Sequence, residues 1–256
     1  MEAQLACSER GDGQAVILLH GLFGNRDNVN GIARFLAERC RVYALDLPDH
    51  GSSPWLAEGS LRAYAASLLA WMNLKGIGSA AFLGHSLGGK VVMELALLHP
   101  ERVRALVVAD IAPVAYEHRH TEVFAGLNAL DLGRVGSRRE ADAVLSQWVP
   151  EAAVRSFLLK NLQKGPDGLA WRLNLSGIQR AYPELIAANA EARFEGPALF
   201  LKAEHSDYIA EQHWPAIRTR FPHTDFKVVG NTGHWLHAER PELLARMVLR
   251  FFSSVL

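Results

Sequence analysis

The feature that most constrains this chain is the pentapeptide GHSLG at residues 84–88. A short apolar run at 79–83 precedes it, and residues 89–98 follow with apolar side chains at helical spacing. This pattern predicts a strand, a sharp turn and a helix, with Ser86 at the apex of the turn. Glycines two residues to either side leave room for neighbouring chain, and the N–H groups that open the helix favour an anion beside the serine. Ser86 is therefore the candidate nucleophile.

Further apolar runs are distributed along the chain at intervals that alternate with amphipathic helical segments. The predicted strands are residues 14–19, 41–45, 79–83, 104–109, 197–202 and 225–229, and the predicted flanking helices cover about 29–39, 61–75 and 241–253. Continuous rather than alternating apolar strands are typical of a sheet that is buried on both faces. The chain is thus predicted to have an α/β fold, with a mostly parallel sheet flanked by helices.

The alternation is interrupted between residues 114 and 195, which show helical periodicity and no convincing strand. We expect an all-helical cap, or lid, over the carboxyl ends of the strands, where folds of this class bind ligands. The predicted division is a core of residues 1–113 and 196–256 with a cap of residues 114–195. The apolar positions of the cap, of which a minority should face a pocket, are Phe124, Leu127, Trp148, Phe157, Leu158 and Trp171.

A nucleophilic serine needs a base, and the base needs an orienting acid, which in this fold class follow the serine in the order acid, then histidine. His234 is the candidate base because it lies in a glycine-bearing loop after the last strand. His237 is its competitor, and we assign it a packing or supporting role. Asp110, at the end of strand 104–109, and Asp207, after strand 197–202, are both candidate acids, and spacing alone does not choose between them.

Two backbone N–H groups are expected to form the oxyanion hole. One belongs to Leu87, the residue after the candidate nucleophile. The other should come from the loop at residues 20–24, where we prefer Leu22 and keep Phe23 as the one-residue alternative. His20 and Gly21 would then bend the loop so that the N–H group turns inward.

Composition argues against several classes of partner. Lysine and arginine total 27, as do aspartate and glutamate, so no net field invites nucleic acid or anionic lipid. The first ten residues lack a basic segment followed by an apolar run, and no apolar stretch approaches the ~20 residues of a membrane helix. Cys7 and Cys40 show no metal-ligand spacing and are expected to be reduced thiols, so we predict a cytoplasmic protein without membrane insertion.

Six motifs together carry a resemblance over nearly the whole chain. They are HGLFG at 20–24, DN at 27–28, DL at 46–47 with HGSS at 50–53, GHSLGGK at 84–90, DIAPV at 110–114 and GHWLHAE at 233–239. With them the chain resembles the α/β-hydrolase family, and within it the YbfF-type bacterial esterases and thioesterases and the mitochondrial abhydrolase-domain 11 proteins. The resemblance implies the α/β-hydrolase fold with a helical cap inserted after the sixth strand. It also implies that the acid comes from the DIAP strand, which supports Asp110 and leaves Asp207 as the alternative.

The function that the resemblance implies is hydrolysis of acyl esters or acyl thioesters, and we expect acyl chains of short to medium length. In this reading Ser86, His234 and Asp110 form a triad, the substrate is a small molecule, and neither a metal nor a cofactor is implied. A cofactor-free perhydrolase or haloperoxidase would use the same triad. A non-catalytic receptor of this fold, with the cap closed over a ligand, is the rival from a different class.

Overall fold

The computed structural model describes residues 4–165 and 168–255. Its strands are β1 Cys7–Arg10, β2 Ala15–Leu19, β3 Arg41–Leu45, β4 Ala80–His85, β5 Val103–Ala109, β6 Leu162–Gly165, β7 Gly168–Trp171, β8 Ala198–Ala203 and β9 Thr224–Val229. Its α-helices are α1 Asn30–Leu36, α2 Leu61–Leu74, α3 Leu87–Leu98, α4 Thr121–Asn128, α5 Arg138–Leu145, α6 Ala152–Leu158, α7 Leu175–Leu185, α8 Trp214–Arg220, α9 Leu236–Glu239 and α10 Pro241–Val255. Short 3₁₀ helices lie at Arg26–Val29, Pro100–Arg102, Leu159–Asn161 and Glu211–His213.

The main sheet runs in the order β1-β3-β2-β4-β5-β8-β9, with β4 at its centre. Every neighbouring pair is parallel except β1 and β3, where Cys7 lies opposite Leu45. The six parallel strands are the six that the apolar runs predict. The edge strand β1 is not predicted, because its sequence, CSER, carries no apolar run.

Side chains alternate between the two faces of the sheet, and helices cover both faces. Ile17 and Leu19 of β2 belong to a core on the side of α2 and α3. Val16 and Leu18 belong to a second core on the side of α1 and α10. This double burial explains the continuous apolar runs and confirms the predicted fold class. It also places the carboxyl ends of β4, β5 and β8 side by side at one edge of the sheet.

The cap segment differs from the prediction in two respects. It is not all-helical, because β6 and β7 pair as an antiparallel hairpin in which Leu162 lies opposite Trp171. Strands of four residues are too short to give a periodic signal, and the burial of β6 and β7 is only partial. The segment follows β5, which is the fifth strand of the described chain. The implied insertion after a sixth strand is therefore wrong in the numbering of this chain.

The cap has a hydrophobic core of its own, to which Phe23 of the loop after β2 contributes. Phe124, Leu127 and Leu158 are buried there, and Trp148 is 39% exposed. The division of the chain at residues 114 and 195 stays a prediction. Residues 1–3 and 256 of the predicted core and residues 166–167 of the predicted cap lie outside the described residues.

Among the residues described, no helix combines the length and apolar character needed to cross a lipid bilayer.

The tight turn after β4 generates a prediction for stability. A methyl group on Gly84 would overlap the carbonyl group of Gly88. That carbonyl belongs to the main chain of the turn, so it cannot move aside as a side chain could. We expect Gly84→Ala to lower the free energy of unfolding by about 1–3 kcal/mol or more. Gly78→Ala is the matched control, because open space surrounds that position, and it should change stability by less than about 0.5 kcal/mol. Equal thermal unfolding of the two variants would contradict this account of the turn.

Candidate active site

Ser86 occupies the turn between β4 and α3 with φ 51° and ψ −118°, which is a strained conformation for a residue with a side chain. Its N–H group donates to the carbonyl of Ala109 at 3.0 Å, which ties the turn to the end of β5. The flanking glycines are required by close contacts. A Cβ atom on Gly88 would lie 2.6 Å from the carbonyl oxygens of Leu19 and His20. The serine hydroxyl is therefore held at the carboxyl edge of the sheet.

His234 connects the serine to a carboxylate through two hydrogen bonds. The Ser86 hydroxyl donates to Nε2 of His234 at 3.0 Å, and Nδ1–H donates to Oδ2 of Asp110 at 2.8 Å. Asp110 is fully buried, and its other oxygen, Oδ1, accepts from the N–H group of Ala203 at 3.0 Å. The carboxylate is thus oriented by the backbone at the end of β8, and it holds the proton of His234 on Nδ1 so that Nε2 can accept one.

Asp207, the alternative acid, lies elsewhere. Its side chain is 74% exposed, and it pairs with Arg119 of the cap at 2.6 Å instead of contacting His234. The hydrogen bond from Arg119 lowers the pKa of the Asp207 carboxyl. The Arg119 guanidinium also lies 4.8 Å above the Tyr208 ring, whose other neighbour is the His234 imidazole, stacked at 3.9 Å. The structure therefore brings Asp110 to the histidine, and gives Asp207 a contact between core and cap.

The candidate oxyanion donors differ in whether their N–H groups are available. The Phe23 N–H group donates to Nε2 of His50 at 3.2 Å, so it is already engaged. Within the part of the chain that the structure describes, the Leu22 N–H group has no hydrogen-bond acceptor. Leu87 is the first residue of α3, where backbone N–H groups lack partners within the helix. Leu22 and Leu87 line one cavity together with Ser86. The engagement of the Phe23 N–H group by His50 favours Leu22 as the second donor.

Buried histidines hold the loop that carries Leu22. Nδ1–H of His20 donates to the carbonyl of Gly21 at 2.8 Å, while its Nε2 accepts from the Leu47 N–H group at 3.0 Å. Burial lowers the pKa of His20 well below its usual value, so the ring stays neutral and keeps this tautomer. The loop after β2 is thereby fixed to the loop after β3.

His237 and His85 form the inner wall beside the candidate base. His85 donates from Nε2 to the carbonyl of His234 at 2.7 Å, and its ring lies 4.1 Å from that of His237. Burial lowers the pKa of His237 to about 4, so it is neutral at physiological pH. The His237 ring packs against His85 and makes no hydrogen bond to Ser86. This position agrees with the packing role predicted for His237.

Two cavities meet at Ser86. The first, of about 410 Å³, is lined by Leu22, Ser86, Leu87, Lys90, Ile111, Tyr116, Glu117, Arg119, His120, Tyr182, Leu185, Ile186 and Tyr208. The second, of about 530 Å³, is lined by Gly21, Leu22, Phe23, Gly24, Asn28, His85, Ser86, His120, Val123, Val154, Phe157, Leu158, His234, Trp235 and His237. Of the apolar cap positions predicted, Phe157 and Leu158 thus face a cavity, which is a minority of the six.

Sequence reasoning missed three residues of this site. Tyr208 stacks on the candidate base, and His120 lines both cavities and bonds through Nδ1 to the Tyr182 hydroxyl at 2.6 Å. Neither lies in a pattern that separates it from an ordinary loop residue. Lys90 did carry a signal, because it is a lone charge in the first turn of the otherwise apolar start of α3. Only the structure shows that Lys90 lines a cavity together with Ser86.

Comparison with known proteins agrees with this fold. The family described as having the alpha/beta hydrolase fold matches residues 14–241 of the chain. Esterase YbfF of Escherichia coli K12 is 35% identical over 240 residues, which cover 93% of each protein. The sn-1-specific diacylglycerol lipase ABHD11 of Danio rerio is 34% identical over 257 residues, covering 96% of this chain and 78% of the lipase.

Among solved structures, an esterase from a marine microorganism superposes with a TM-score of 0.95. It is 33% identical in sequence, and the match covers 98% of this chain and all of that one. Because the match covers 98% of this chain, the similarity includes both the main sheet and the segment between β5 and β8.

The hydrogen bonds of the two candidate acids generate opposite predictions. Asp110→Asn should preserve the fold but favour the wrong tautomer of His234, lowering kcat for an activated ester by up to about 10⁴-fold. Asp207→Asn should have little effect, because its carboxylate bonds to Arg119. Both variants are isosteric, so each controls for the other in a kcat measurement with thermal unfolding as the check on folding.

The double variant completes a cycle that measures any sharing between the two carboxylates. An active Asp110→Asn with an inactive Asp207→Asn would overturn the assignment. Two partly active single variants with an inactive double variant would mean that either carboxylate can serve His234.

Proposed function

The chain belongs to the α/β-hydrolase family, and from that membership we propose that it is a serine hydrolase that cleaves acyl esters or acyl thioesters through an acyl-enzyme. The observation that carries the proposal is the chain of hydrogen bonds from Ser86 through His234 to the buried Asp110. A strained serine at the start of a helix, beside a base whose tautomer is held by a carboxylate, is suited to nucleophilic attack on a carbonyl carbon.

The proposed reaction has two halves. In the first, Ser86 attacks the carbonyl carbon while Nε2 of His234 takes the hydroxyl proton, and the negative oxygen is stabilised by the N–H groups of Leu22 and Leu87. The tetrahedral intermediate collapses as His234 gives that proton to the leaving alkoxide or thiolate. In the second half, water attacks the acyl-enzyme with His234 as base, and the free acid leaves.

The two cavities suggest how a substrate is oriented. His234 lines the second cavity and not the first. Because His234 must deliver a proton to the leaving group, the leaving group belongs in the second cavity. The acyl chain then occupies the first cavity, whose walls are mainly the side chains of leucine, isoleucine and tyrosine. For this apolar cavity we propose acyl chains of short to medium length.

The named relatives support ester cleavage in particular. One is called an esterase and another a diacylglycerol lipase, and both names describe hydrolysis of carboxylic esters. Thioesters undergo the same attack with a better leaving group, so we propose them as substrates of the same site.

Replacement of the nucleophile tests the proposal. Ser86→Ala should abolish hydrolysis of p-nitrophenyl acyl esters, by several powers of ten in kcat, because the methyl group cannot form an acyl-enzyme. A fluorophosphonate should label Ser86 in the wild-type protein, as mapped by mass spectrometry. Ser67→Ala is a control, since that hydroxyl lies on α2 and donates to the carbonyl of Ala63. Substantial turnover by Ser86→Ala, or labelling at another serine, would show the mechanism to be wrong.

The same assay separates the rival functions. A ligand-binding receptor should show almost no turnover of any p-nitrophenyl ester even though it has the triad. A perhydrolase should form peracid from acetate and hydrogen peroxide faster than it hydrolyses esters. Either result would replace the proposal.

The assignment of the two cavities gives a second prediction. With straight, unsubstituted acyl chains we expect graded preferences, because apolar cavities discriminate by only about 1–3 kcal/mol per methylene. Ile186→Ala, in the first cavity, should shift the preferred acyl length upward. Phe157→Ala, in the second, should alter the dependence on the alcohol and leave the acyl optimum in place. A panel of acyl lengths crossed with alcohols measures both, and exchanged effects of the two variants would reverse the orientation.

A further inference from the structure

One wall residue of the first cavity is a buried cation. Lys90 is the fourth residue of α3, one turn after Ser86, and only 2% of its surface is exposed. It lines the cavity that we assign to the acyl chain, among leucine, isoleucine and tyrosine side chains. A lysine in such a place is unusual, because burial of an unpaired charge is strongly unfavourable.

The protein supplies this cation with little compensation. Nζ donates one hydrogen bond, to the carbonyl of Val114 at 2.7 Å, and lies 5.4 Å from the Tyr116 ring centroid. Within the described residues no carboxylate oxygen lies within 4.0 Å of Nζ. The first turn of a helix adds to the cost, since its partial charge is positive.

The charged groups around Lys90 do not change this conclusion. Glu94 lies one turn further along α3, and its negative charge favours the ammonium form of Lys90. It does not bond to Nζ, because its Oε2 accepts from Asn189 Nδ2 at 2.8 Å and from the Ala190 N–H group at 3.1 Å. Arg220, on α8, acts on Lys90 with the same sign of charge. The lining also contains the exposed Glu117, and the exposed Arg119, which pairs with Asp207. Of the charged residues that line the cavity, Lys90 is thus the buried one, and no anion among the described residues pairs with its Nζ.

We propose that Lys90 binds a carboxylate at the far end of the acyl chain, so that the preferred acyl donors are half-esters or half-thioesters of dicarboxylic acids. This inference rests on the proposed function. The carboxylate would accept hydrogen bonds from the remaining N–H donors of Nζ and would neutralise the buried charge. Since residues one helical turn apart are neighbours on one face, the spacer should be short, with acyl groups of about four to six carbons.

The experiment compares two substrates of nearly equal shape and different charge. Monomethyl glutarate and methyl 5-methylhexanoate have the same number of non-hydrogen atoms in the acyl part, and methanol release reports both. The quantity measured is the ratio of their kcat/KM values, because any general loss of folding or of catalysis cancels in it. Monomethyl succinate and monomethyl adipate vary the spacer.

Three variants accompany the wild-type protein. Lys90→Met removes the charge and keeps the length of the side chain, Lys90→Arg keeps the charge, and Ile186→Ala alters the shape of the same cavity without altering charge. The ratio of kcat/KM for the half-ester to kcat/KM for the neutral ester should be at least about tenfold higher in the wild-type protein than in Lys90→Met. Hydrogen bonds between charged groups are strong enough to give a difference of this size. Lys90→Arg should keep part of the preference, and Ile186→Ala should keep most of it.

The pH dependence of the same ratio provides a second readout. Burial lowers the pKa of Lys90 to about 7. The ammonium is therefore present below that value and is lost as the pH rises through it, whereas the substrate carboxylate stays ionised throughout. The wild-type ratio should fall between roughly pH 6 and pH 9, and the Lys90→Met ratio should stay flat.

Binding without turnover separates this inference from the proposed function. Free glutarate should raise the unfolding temperature of Ser86→Ala and should fail to do so in Ser86→Ala combined with Lys90→Met. If neither methyl ester is hydrolysed, the proposed function fails, and the glutarate result alone decides the role of Lys90. If the neutral ester is hydrolysed but the ratio does not depend on Lys90, or glutarate binds equally to both proteins, the inference is overturned.

Discussion

The tightest constraint in this protein is the crowding of main chain around Ser86. Gly84 and Gly88 permit contacts with the carbonyls of Gly88, Leu19 and His20 that no larger residue would allow. In return, the serine is held at a positive φ angle by its hydrogen bond to Ala109. A strained residue persists only where the surroundings determine it completely, and here two strands and a helix do so.

The base and the acid depend on the same sheet edge. Asp110 directly follows Ala109, the last residue of β5. Like Ser86, it adopts a positive φ angle, 54°, which aspartate tolerates better than most residues. Its two oxygens join the last residue of β8 to His234, which follows β9. Neighbouring parallel strands end together, so three distant segments of the chain meet without any long insertion in the core. The arrangement agrees with the proposed acyl transfer, whose geometry must be preorganised.

The cap approaches this centre through aromatic and charged contacts. Arg119 reaches across to Asp207 and lies over Tyr208, which in turn stacks on the imidazole of His234. Residues 116–120 and 182–186 of the predicted cap line the first cavity, where Lys90 Nζ donates to the carbonyl of Val114. Under the proposed function, residues from both segments would contribute to substrate selection.

The sequence by itself determined the parallel sheet, the turn at Ser86 and the identity of His234 as the candidate base. These depend on local patterns, namely continuous apolar runs, glycine spacing and chain order, which act over a few residues. Only the tertiary structure decided that Asp110 bonds to His234 while Asp207 bonds to Arg119, since both carboxylates follow a strand and their spacing is equally acceptable. The pairing of β6 with β7 and the cavity lined by Lys90 were also visible only in the tertiary structure. Pairing of short strands and burial of a single charge depend on contacts between segments far apart in the chain.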